Sequence, residues 1–264
     1  MEYQNRLTCF IDLLGFKSAI DQSLEEPKIA ESLFELFEQF RGAELEKVVY
    51  GTVPYLSENG LSSAADHHGD QIVDVMDKHF DLVVTQFSDS FVISAPANNP
   101  ASCNLLFRAL RLINVQFFFG LGMLMRGGVS IGKLVHKRGG ALFGPAMNEA
   151  YAIESKAAIY PRVVVSDQVF DFYNRTLILA APAPEEPFIK RGFDGVPYFD
   201  LVSCFVDMRG FRGERSKISD QFKRVEGDIL KSSKASHPKI AYLLHQWSLY
   251  ENRFTDEEEP QVLS

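Results

Sequence analysis

The sequence predicts an α+β fold, in which helices pack against an antiparallel β-sheet. Apolar residues recur at intervals of three and four in several long segments, which is the helical pattern. Between these segments lie β-rich runs, two of which flank a tight turn. Hydrophobic residues make up 46% and charged residues 23% of the 264 positions, a composition typical of a globular chain with a substantial core.

The first elements follow from spacing and from turn residues. Residues 6–12 (RLTCFID) are rich in β-formers and predict the first strand, which ends before Gly15. The apolar spacing over 26–40 predicts the first helix. Residues 51–70 are polar and contain Gly, Pro and Ser, so they are interpreted as a long surface loop.

The next elements alternate in the same way. Residues 81–96 predict a hairpin, 99–119 a helix, 125–136 a strand, 144–158 a helix and 161–167 a strand. The order is therefore β-α-β-β-α-β-α-β. Its first six elements match the ferredoxin-like split unit, in which helices cover one face of an antiparallel sheet.

The pattern of predicted elements changes near residue 184. A hairpin is predicted to turn at Asp194–Gly195, and two amphipathic helices are predicted over 213–233 and 237–254. We expect residues 1–180 to form the core domain. Residues 181–264 would be a C-terminal extension, made of the hairpin and the helices, that packs on that core.

Charge and cysteine content exclude several classes of protein. The net charge of −8 argues against general nucleic-acid binding, which needs a basic surface. Cys9, Cys103 and Cys204 lack metal-ligand spacing and cannot all pair with one another, which favours a reducing compartment. No leader or membrane-spanning segment is recognisable, so we expect a soluble cytoplasmic protein.

Two aspartates stand out against this background. Asp12 interrupts the apolar run FIDLLGF, and Asp89 lies at the hairpin turn of QFSDSF. In the split unit the first strand lies beside this hairpin, so the two carboxylates should converge. Paired carboxylates are the ligands that Mg²⁺ or Mn²⁺ prefers, and two such ions are the usual means of phosphoryl transfer. The alternative is an aspartate at a strand end and an ordinary Ser-Asp turn.

The segment GGVSIGK, residues 127–133, superficially matches a phosphate-binding Walker loop. Leu134 stands where that loop needs Ser or Thr, and the alternation of Val129 and Ile131 indicates a strand. The glycines are better explained as sites where the backbone passes close to a neighbouring group.

Four motifs together resemble one family. FIDLLGF resembles the first metal-binding motif of class III nucleotide cyclases, and QFSDSFVISAP resembles the second. RGGVSIGKLV is similar to the central strand of that family, and LFGPAMNEAYAIES is similar to the helix that follows it. The resemblance covers roughly residues 5–170. It implies the antiparallel cyclase core and a reaction that forms a cyclic nucleotide and pyrophosphate.

The resemblance assigns roles where residues match. Asp12 and Asp89 would hold two Mg²⁺ or Mn²⁺ ions, helped by the backbone carbonyl of Leu13. Phe16 would lie near the triphosphate, at the start of the first helix.

Further roles involve the second half of the core. Asn148 would orient the ribose, and either Arg162 or Lys156 would bind the triphosphate. Family members form head-to-tail dimers, so a homodimer with two composite sites is implied.

The chain departs from the family pattern at three positions. Thr85 replaces the purine-contacting lysine, Ala141 replaces the adenine-selecting aspartate, and Ala152 replaces the transition-state arginine. One interpretation is a degenerate domain that binds nucleotides without catalysis. The other, which we favour, is a pocket rebuilt for another base, since both metal ligands and the ribose asparagine are retained.

Retained metal ligands without purine contacts resemble the pyrimidine cyclases of the Pycsar anti-phage systems. That resemblance implies UTP or CTP as substrate and cyclic UMP or cyclic CMP as an alarm signal read by a separate effector. Uridine is slightly preferred, although the hydroxyl of Thr85 can both donate and accept a hydrogen bond.

Three other residues are weaker candidates. Tyr50 could contact the base if it ends a strand beside the pocket, but a half-buried structural tyrosine is the simpler account. Arg126 could supply the missing cation or form a surface ion pair, and Phe143 could line the base pocket or belong to the core.

The rival hypotheses are a purine cyclase with unusual base contacts, a nucleotide sensor without activity, and a diguanylate-cyclase-like enzyme. The last is disfavoured because the hairpin reads FSDSF rather than Gly-Gly-acidic-acidic-Phe.

Overall fold

The structure of the chain is given by a computed structural model. It describes residues 2–57, 60–63, 71–177, 188–207, 215–232 and 237–251. Part of the loop predicted over 51–70 lies outside the described residues.

The described strands and helices have the following bounds. The strands are β1 (Gln4–Leu14), β2 (Pro54–Ser57), β3 (Gly60–Ser63), β4 (Val83–Phe87), β5 (Ser90–Pro96), β6 (Leu124–His136), β7 (Leu142–Phe143), β8 (Val163–Val165), β9 (Ile189–Arg191) and β10 (Pro197–Phe199). The helices are α1 (Phe16–Ser23), α2 (Pro27–Gln39), α3 (Ala43–Gly51), α4 (Gln71–Phe80), α5 (Pro100–Leu121), α6 (Pro145–Ala157), α7 (Asp167–Phe172), α8 (Ser203–Asp207), α9 (Arg215–Ser232) and α10 (His237–Glu251). A π-helical turn, Tyr173–Leu177, follows α7.

The main sheet has the strand order β4-β5-β1-β6-β8-β10-β9 in the described part of the chain, with β7 paired to β6. The pairs are antiparallel except for β6 with β8. The order β4-β5-β1-β6 is that of the split β-α-β-β-α-β unit, so the predicted α+β class is confirmed. None of the described helices has the length and apolar character needed to cross a membrane.

Helices lie on both faces of the sheet. Ile11 of β1 and Phe91 of β5 are paired and buried, and they face α2 and α5, where Phe37 stacks on Phe91 and packs edge-on against Phe117. Successive side chains of a strand point to opposite faces. Accordingly, the neighbouring residue Phe10 contacts Tyr151 of α6 on the other side. The two helices of the predicted six-element unit, α2 and α5, therefore cover one face as expected, and α6, which follows that unit, packs on the other face.

Glycine allows α6 to approach β6 closely. A Cβ atom on Gly128 would lie 2.1 Å from the carbonyl oxygen of Ala150 and 2.8 Å from the backbone nitrogen of Glu154. The helix is further fixed by Ser130, whose hydroxyl donates to the carbonyl of Ala146 at 2.6 Å. The interpretation of this segment as a close-packing strand rather than a phosphate loop is confirmed.

Both predicted turns are present. β4 and β5 are joined through Ser88, which adopts a positive φ of 52°. The C-terminal hairpin turns through Gly195 at φ 75°. Because β10 also pairs with β8, this hairpin continues the main sheet rather than forming a separate layer.

Between the first predicted helix and the hairpin, the structure has a helix and two short strands that the sequence does not predict. The β-branched pair Val48–Val49 favours a strand, but Leu45, Val49 and Tyr50 are buried at helical spacing in α3. The segment read as a loop contains β2 and β3, which pair with each other.

Candidate carboxylate site

Asp12 and Asp89 meet at the end of the central strands. Asp12 is paired in register with Ser90, and the backbone N–H of Leu13 donates to the carbonyl oxygen of Asp89 at 3.0 Å. Both carboxylates are partly exposed. The structure thus brings together the two residues that the sequence singles out, while their role as metal ligands stays a prediction.

Arg126 partners Asp12 from the neighbouring strand. The two residues are directly opposite each other in the β1–β6 pair. The Nη2 atom of Arg126 lies 3.3 Å from Oδ2 of Asp12, and its Nε atom lies 2.8 Å from Oε1 of Glu154. The guanidinium therefore bridges a strand carboxylate and a helix carboxylate, so Arg126 is part of the site rather than of a simple surface ion pair.

Glu154 is a member of this site that sequence reasoning missed. Its side chain is only 4% exposed, and it follows Ala146 and Ala150 on the buried stripe of α6. Burial raises the pKa of the Glu154 carboxyl, Arg126 lowers it, and the charge of Asp12 raises it again. The available signal was a glutamate that continues a stripe of small residues at intervals of four.

The oxygen donors at this position suit a divalent cation that takes its remaining ligands from phosphate and water. The carboxylates of Asp12 and Asp89 are hard oxygen donors, and Mg²⁺ is commonly held by one or two carboxylates together with phosphate oxygens and water. In the described part of the chain, no three His, Cys, Asp or Glu side chains are grouped to hold a metal ion without such help. A site completed by phosphate is the arrangement that these residues fit.

Phe16 and the turn before it lie next to the carboxylates along the chain. Gly15 precedes α1 in a left-handed conformation at φ 99°, which a non-glycine side chain rarely adopts. Phe16 opens the helix and packs edge-on against Phe37 with ring centroids 5.4 Å apart. Phe16 is therefore anchored in the core, and its backbone lies at the helix N-terminus.

Asn148 and Lys156 are both exposed on α6, near its two ends. With a rise of about 1.5 Å per residue, Asn148 lies roughly 9 Å along the helix axis from Glu154. Within one chain, Asn148 is therefore displaced along α6 from the Arg126 bridge.

Ala141 precedes the short strand β7, and Phe143 is the last residue of that strand, before α6. Ala141 is exposed, and Phe143 is 44% exposed and contacts Tyr3 edge-on. The alternative of a core aromatic at position 143 is not what the structure has. An exposed aromatic there is available to a ligand or to a second chain.

Thr85 is linked to a buried polar network. Its hydroxyl lies 2.8 Å from Nε2 of His136, whose Nδ1 lies 2.8 Å from the hydroxyl of Ser94. The Nε atom of Arg6 donates to that same serine hydroxyl at 2.9 Å. Burial, and then the charges of Arg6 and Arg138, lower the pKa of His136 to about 4, so its ring is neutral at pH 7.

Tyr50 lies in the helix α3 rather than at a strand end. Its side chain is fully buried, and its hydroxyl accepts from the backbone N–H of Leu82 at 3.1 Å and donates to Asp77 at 3.2 Å. These contacts are those of a structural residue, so the proposed contact with a base has no support in the position of Tyr50.

Arg162 is also enclosed by other groups. It is 2% exposed and forms a bidentate ion pair with Asp194 at 3.2 and 2.5 Å. The rings of Tyr160, Tyr198 and Tyr242 lie 5.5 to 5.9 Å from its guanidinium carbon. A triphosphate could reach Arg162 only by displacing Asp194, which makes Lys156 and Arg126 the better candidates for phosphate contacts.

Comparison with known proteins gives structural likenesses only. No family model matches the chain, and neither does any curated protein. The chain is similar to the monomeric guanylyl cyclase domain of the RhoGC fusion protein from the aquatic fungus Blastocladiella emersonii, at 16% identity over 76% of this chain and 96% of that one, with a TM-score of 0.45. A bacterial light-regulated adenylyl cyclase matches at 11% identity over 75% of this chain and 52% of that one, with a TM-score of 0.41. The adenylate/guanylate cyclase/hydrolase from Silicibacter pomeroyi matches at 12% identity over 75% of this chain and 95% of that one, with a TM-score of 0.38. The fold of the chain is accordingly argued from its own strand order and helix placement.

Proposed function

We propose that the chain is a nucleotide cyclase that converts a pyrimidine nucleoside triphosphate, UTP in preference to CTP, to its 3′,5′-cyclic monophosphate and pyrophosphate. The observation that carries this proposal is the juxtaposition of Asp12 and Asp89, with Leu13 bonded to the backbone of Asp89. Two partly exposed carboxylates at the end of a split β-α-β-β-α-β sheet suit a phosphoryl-transfer centre.

In this proposal Asp12, Asp89 and the Leu13 carbonyl would hold two Mg²⁺ or Mn²⁺ ions. When bound, these ions lower the pKa of the attacking hydroxyl and neutralise phosphate charge. The 3′-hydroxyl of the substrate loses its proton to solvent and attacks its own α-phosphate in line, so the new phosphodiester bond forms as the bond to the departing pyrophosphate breaks.

Arg126 supplies the cation for the transition state that is missing because Ala152 replaces the arginine of the family pattern. A cation that contacts the developing charge on the transferred phosphate stabilises the transition state. The guanidinium of Arg126 contacts Asp12 and carries further N–H donors beyond those directed at Asp12 and Glu154. Its fixed position between two carboxylates means that it needs little reorganisation to meet a phosphate.

The network behind Thr85 favours uracil over cytosine. Arg6 can only donate to the Ser94 hydroxyl, so the proton of Ser94 is best used on Nδ1 of His136. The ring then carries its proton on Nε2 and donates it to Thr85. This leaves the Thr85 hydroxyl proton free to donate, which suits the O4 acceptor of uracil and opposes the 4-amino donor of cytosine.

A homodimer with composite sites completes the proposal. Asn148 lies away from the Arg126 bridge within one chain, so the ribose contact would come from a second copy. The exposed aromatics Phe143 and Tyr151 flank Asn148 and suit an interface between copies. The role of the product as an anti-phage signal, with a separate effector, is a further part of the proposal that depends on the resemblance alone.

The test is to incubate the purified protein separately with ATP, GTP, CTP and UTP in Mn²⁺ and to identify products by mass spectrometry. We expect cyclic UMP, with less cyclic CMP. Asp89→Ala should reduce turnover by at least a thousandfold, because one carboxylate of the proposed pair is lost.

Asp21→Ala, an exposed aspartate on α1, is the matched control and should keep full activity. Circular dichroism should show that both variants are folded. Cyclic AMP or cyclic GMP as the main product would replace the pyrimidine assignment with the purine cyclase. Nucleotide binding without product would favour the sensor, and full activity of Asp89→Ala would contradict the two-metal account.

A further inference from the structure

A cavity of about 370 Å³ lies on the helical side of the molecule, between α1, α2 and the end of α5 on one side and α9 and α10 on the other. Its volume is within the range of small-molecule sites, which is roughly 300–1,000 Å³. Leu14 and Gly15, at the turn after β1, form one end of the cavity. None of the residues that form the carboxylate site lines it.

Three cationic side chains line this cavity. They are Lys28 at the start of α2, Arg224 on α9 and Lys239 on α10. Asp228 is the one acidic residue among the lining residues, so the lining carries a net charge of plus two. In a protein with a net charge of −8, this is a local reversal of sign.

None of the three cations is neutralised by a neighbour within the parts of the chain that the structure describes. By contrast, Lys223, one residue before Arg224, is paired with Asp220 at 3.8 Å and does not line the cavity. Three unpaired cations that line one cavity from three different helices repel one another, and a bound anion relieves that repulsion.

The floor of the cavity is apolar. Ala19, Met123, Leu124 and Val225 line it, and each is less than a tenth exposed. A hydrated inorganic anion would leave this surface without a partner. A ligand with an apolar part would cover it and gain the free energy of removing that surface from water.

We propose that this cavity binds a small organic phosphate, with the dianionic phosphate held by Lys28, Arg224 and Lys239 and the apolar part against the floor. The charge of the lining residues matches a phosphate monoester, which carries close to two negative charges above pH 7. The site is distinct from the carboxylate site, and the proposal does not depend on the chain being a cyclase.

The cavity is connected to the carboxylate site through the backbone of β1. Leu14 and Gly15 line the cavity, and Asp12 and Leu13 precede them directly in β1. A ligand that fixes the turn at Gly15 would therefore fix the end of β1 as well.

The experiment is isothermal titration calorimetry of the full chain with phenyl phosphate at pH 8 in EDTA, which excludes binding through a divalent cation at Asp12 and Asp89. We expect binding of phenyl phosphate and at least tenfold weaker binding of inorganic phosphate, which lacks the apolar part. Arg224→Gln should weaken phenyl phosphate binding roughly tenfold, because one charge-assisted contact is lost.

Two further variants make the test specific. Lys223→Gln removes the same charge from the same helix but outside the cavity, and it should leave the affinity unchanged. Asp228→Asn removes the one repulsive charge and should tighten binding about threefold. Binding that is lost equally in Lys223→Gln and Arg224→Gln, that is unchanged in both, or that is the same for phosphate and phenyl phosphate would overturn the proposal. So would the absence of phenyl phosphate binding to the wild-type protein.

Discussion

His136 is a titratable side chain that the fold keeps away from water. It is 7% exposed, and its two ring nitrogens contact the hydroxyls of Thr85 and Ser94. Its folded pKa of about 4 lies below the value near 6.5 of an unfolded chain. As the pH falls, the unfolded chain therefore takes up a proton first, so the stabilising contribution is complete above pH 6.5 and is lost as the pH falls toward 4.

This sign gives a prediction for stability. Between pH 7 and pH 5 the wild-type protein should lose about 2 kcal/mol more unfolding free energy than His136→Gln, which has no ring to protonate. Urea denaturation at the two pH values measures the difference. His245→Gln, an exposed histidine of α10, is the control and should retain the wild-type pH dependence. An identical loss in His136→Gln and the wild type would show that His136 does not titrate in this window.

Individual site residues were predictable only where the chain itself marks them. Asp12 interrupts an apolar run and Asp89 lies in a turn, and both anomalies are visible in the sequence. Glu154 lies in a predicted helix and His136 in a predicted strand, and neither interrupts the local pattern, so the sequence does not mark them as site residues. Their roles depend on cross-strand register and helix docking, which a single sequence does not give.

The carboxylate site depends on the packing of α6 against β6, because Glu154 lies on α6 and Arg126 lies on β6. Gly128 faces the backbone of α6 with no room for a methyl group, whereas a Cβ atom on Gly132 would meet Ala146 at an ordinary 3.6 Å. The two glycines therefore differ in what they can tolerate, although they lie on the same strand.

We predict that Gly128→Ala lowers the free energy of unfolding by about 2–3 kcal/mol, because helix or strand must shift to admit the new atom. Gly132→Ala should change it by less than about 0.5 kcal/mol. Chemical denaturation of the two variants measures both values. Equal effects in the two variants would contradict the close contact at Gly128.

Elements were predicted well where apolar spacing and turn residues agree. The hairpin at Ser88–Asp89 and the turn at Gly195 follow from local chemistry and are present. The helix α3 is not predicted by the sequence, because Val48 and Val49 favour a strand. Burial of one side of this segment against the sheet stabilises a helix instead. The placement of α6 on the second face was not predictable, since the order of elements alone does not fix it.

At the scale of the whole molecule, the proposed composite site makes a prediction about mixed dimers. Asp89→Ala and Asn148→Ala should each be inactive as homodimers. A mixed dimer has one intact site, with Asp89 from one subunit and Asn148 from the other.

After the two variants are unfolded together and refolded in equal amounts, about a quarter of wild-type turnover should return. Half of the dimers are then mixed, and one of their two sites is complete. Mixing without refolding is the control for subunit exchange. If no activity returns while size-exclusion chromatography shows dimers, the site lies within one chain and the composite arrangement is wrong.

The antiparallel docking of α6 on β6 has a mechanical consequence for such a dimer. Glu154 is joined through Arg126 to Asp12 of its own chain near one end of the helix, whereas Asn148, near the other end, would contact the substrate of the opposite site in the proposed dimer. The clamp at Gly128 leaves little room for the helix to bend or slide between them. If the proposed dimer forms, a substrate that displaces Asn148 would also shift Arg126 and Asp12 of the other site through the same helix, so binding at one site would be coupled to the other.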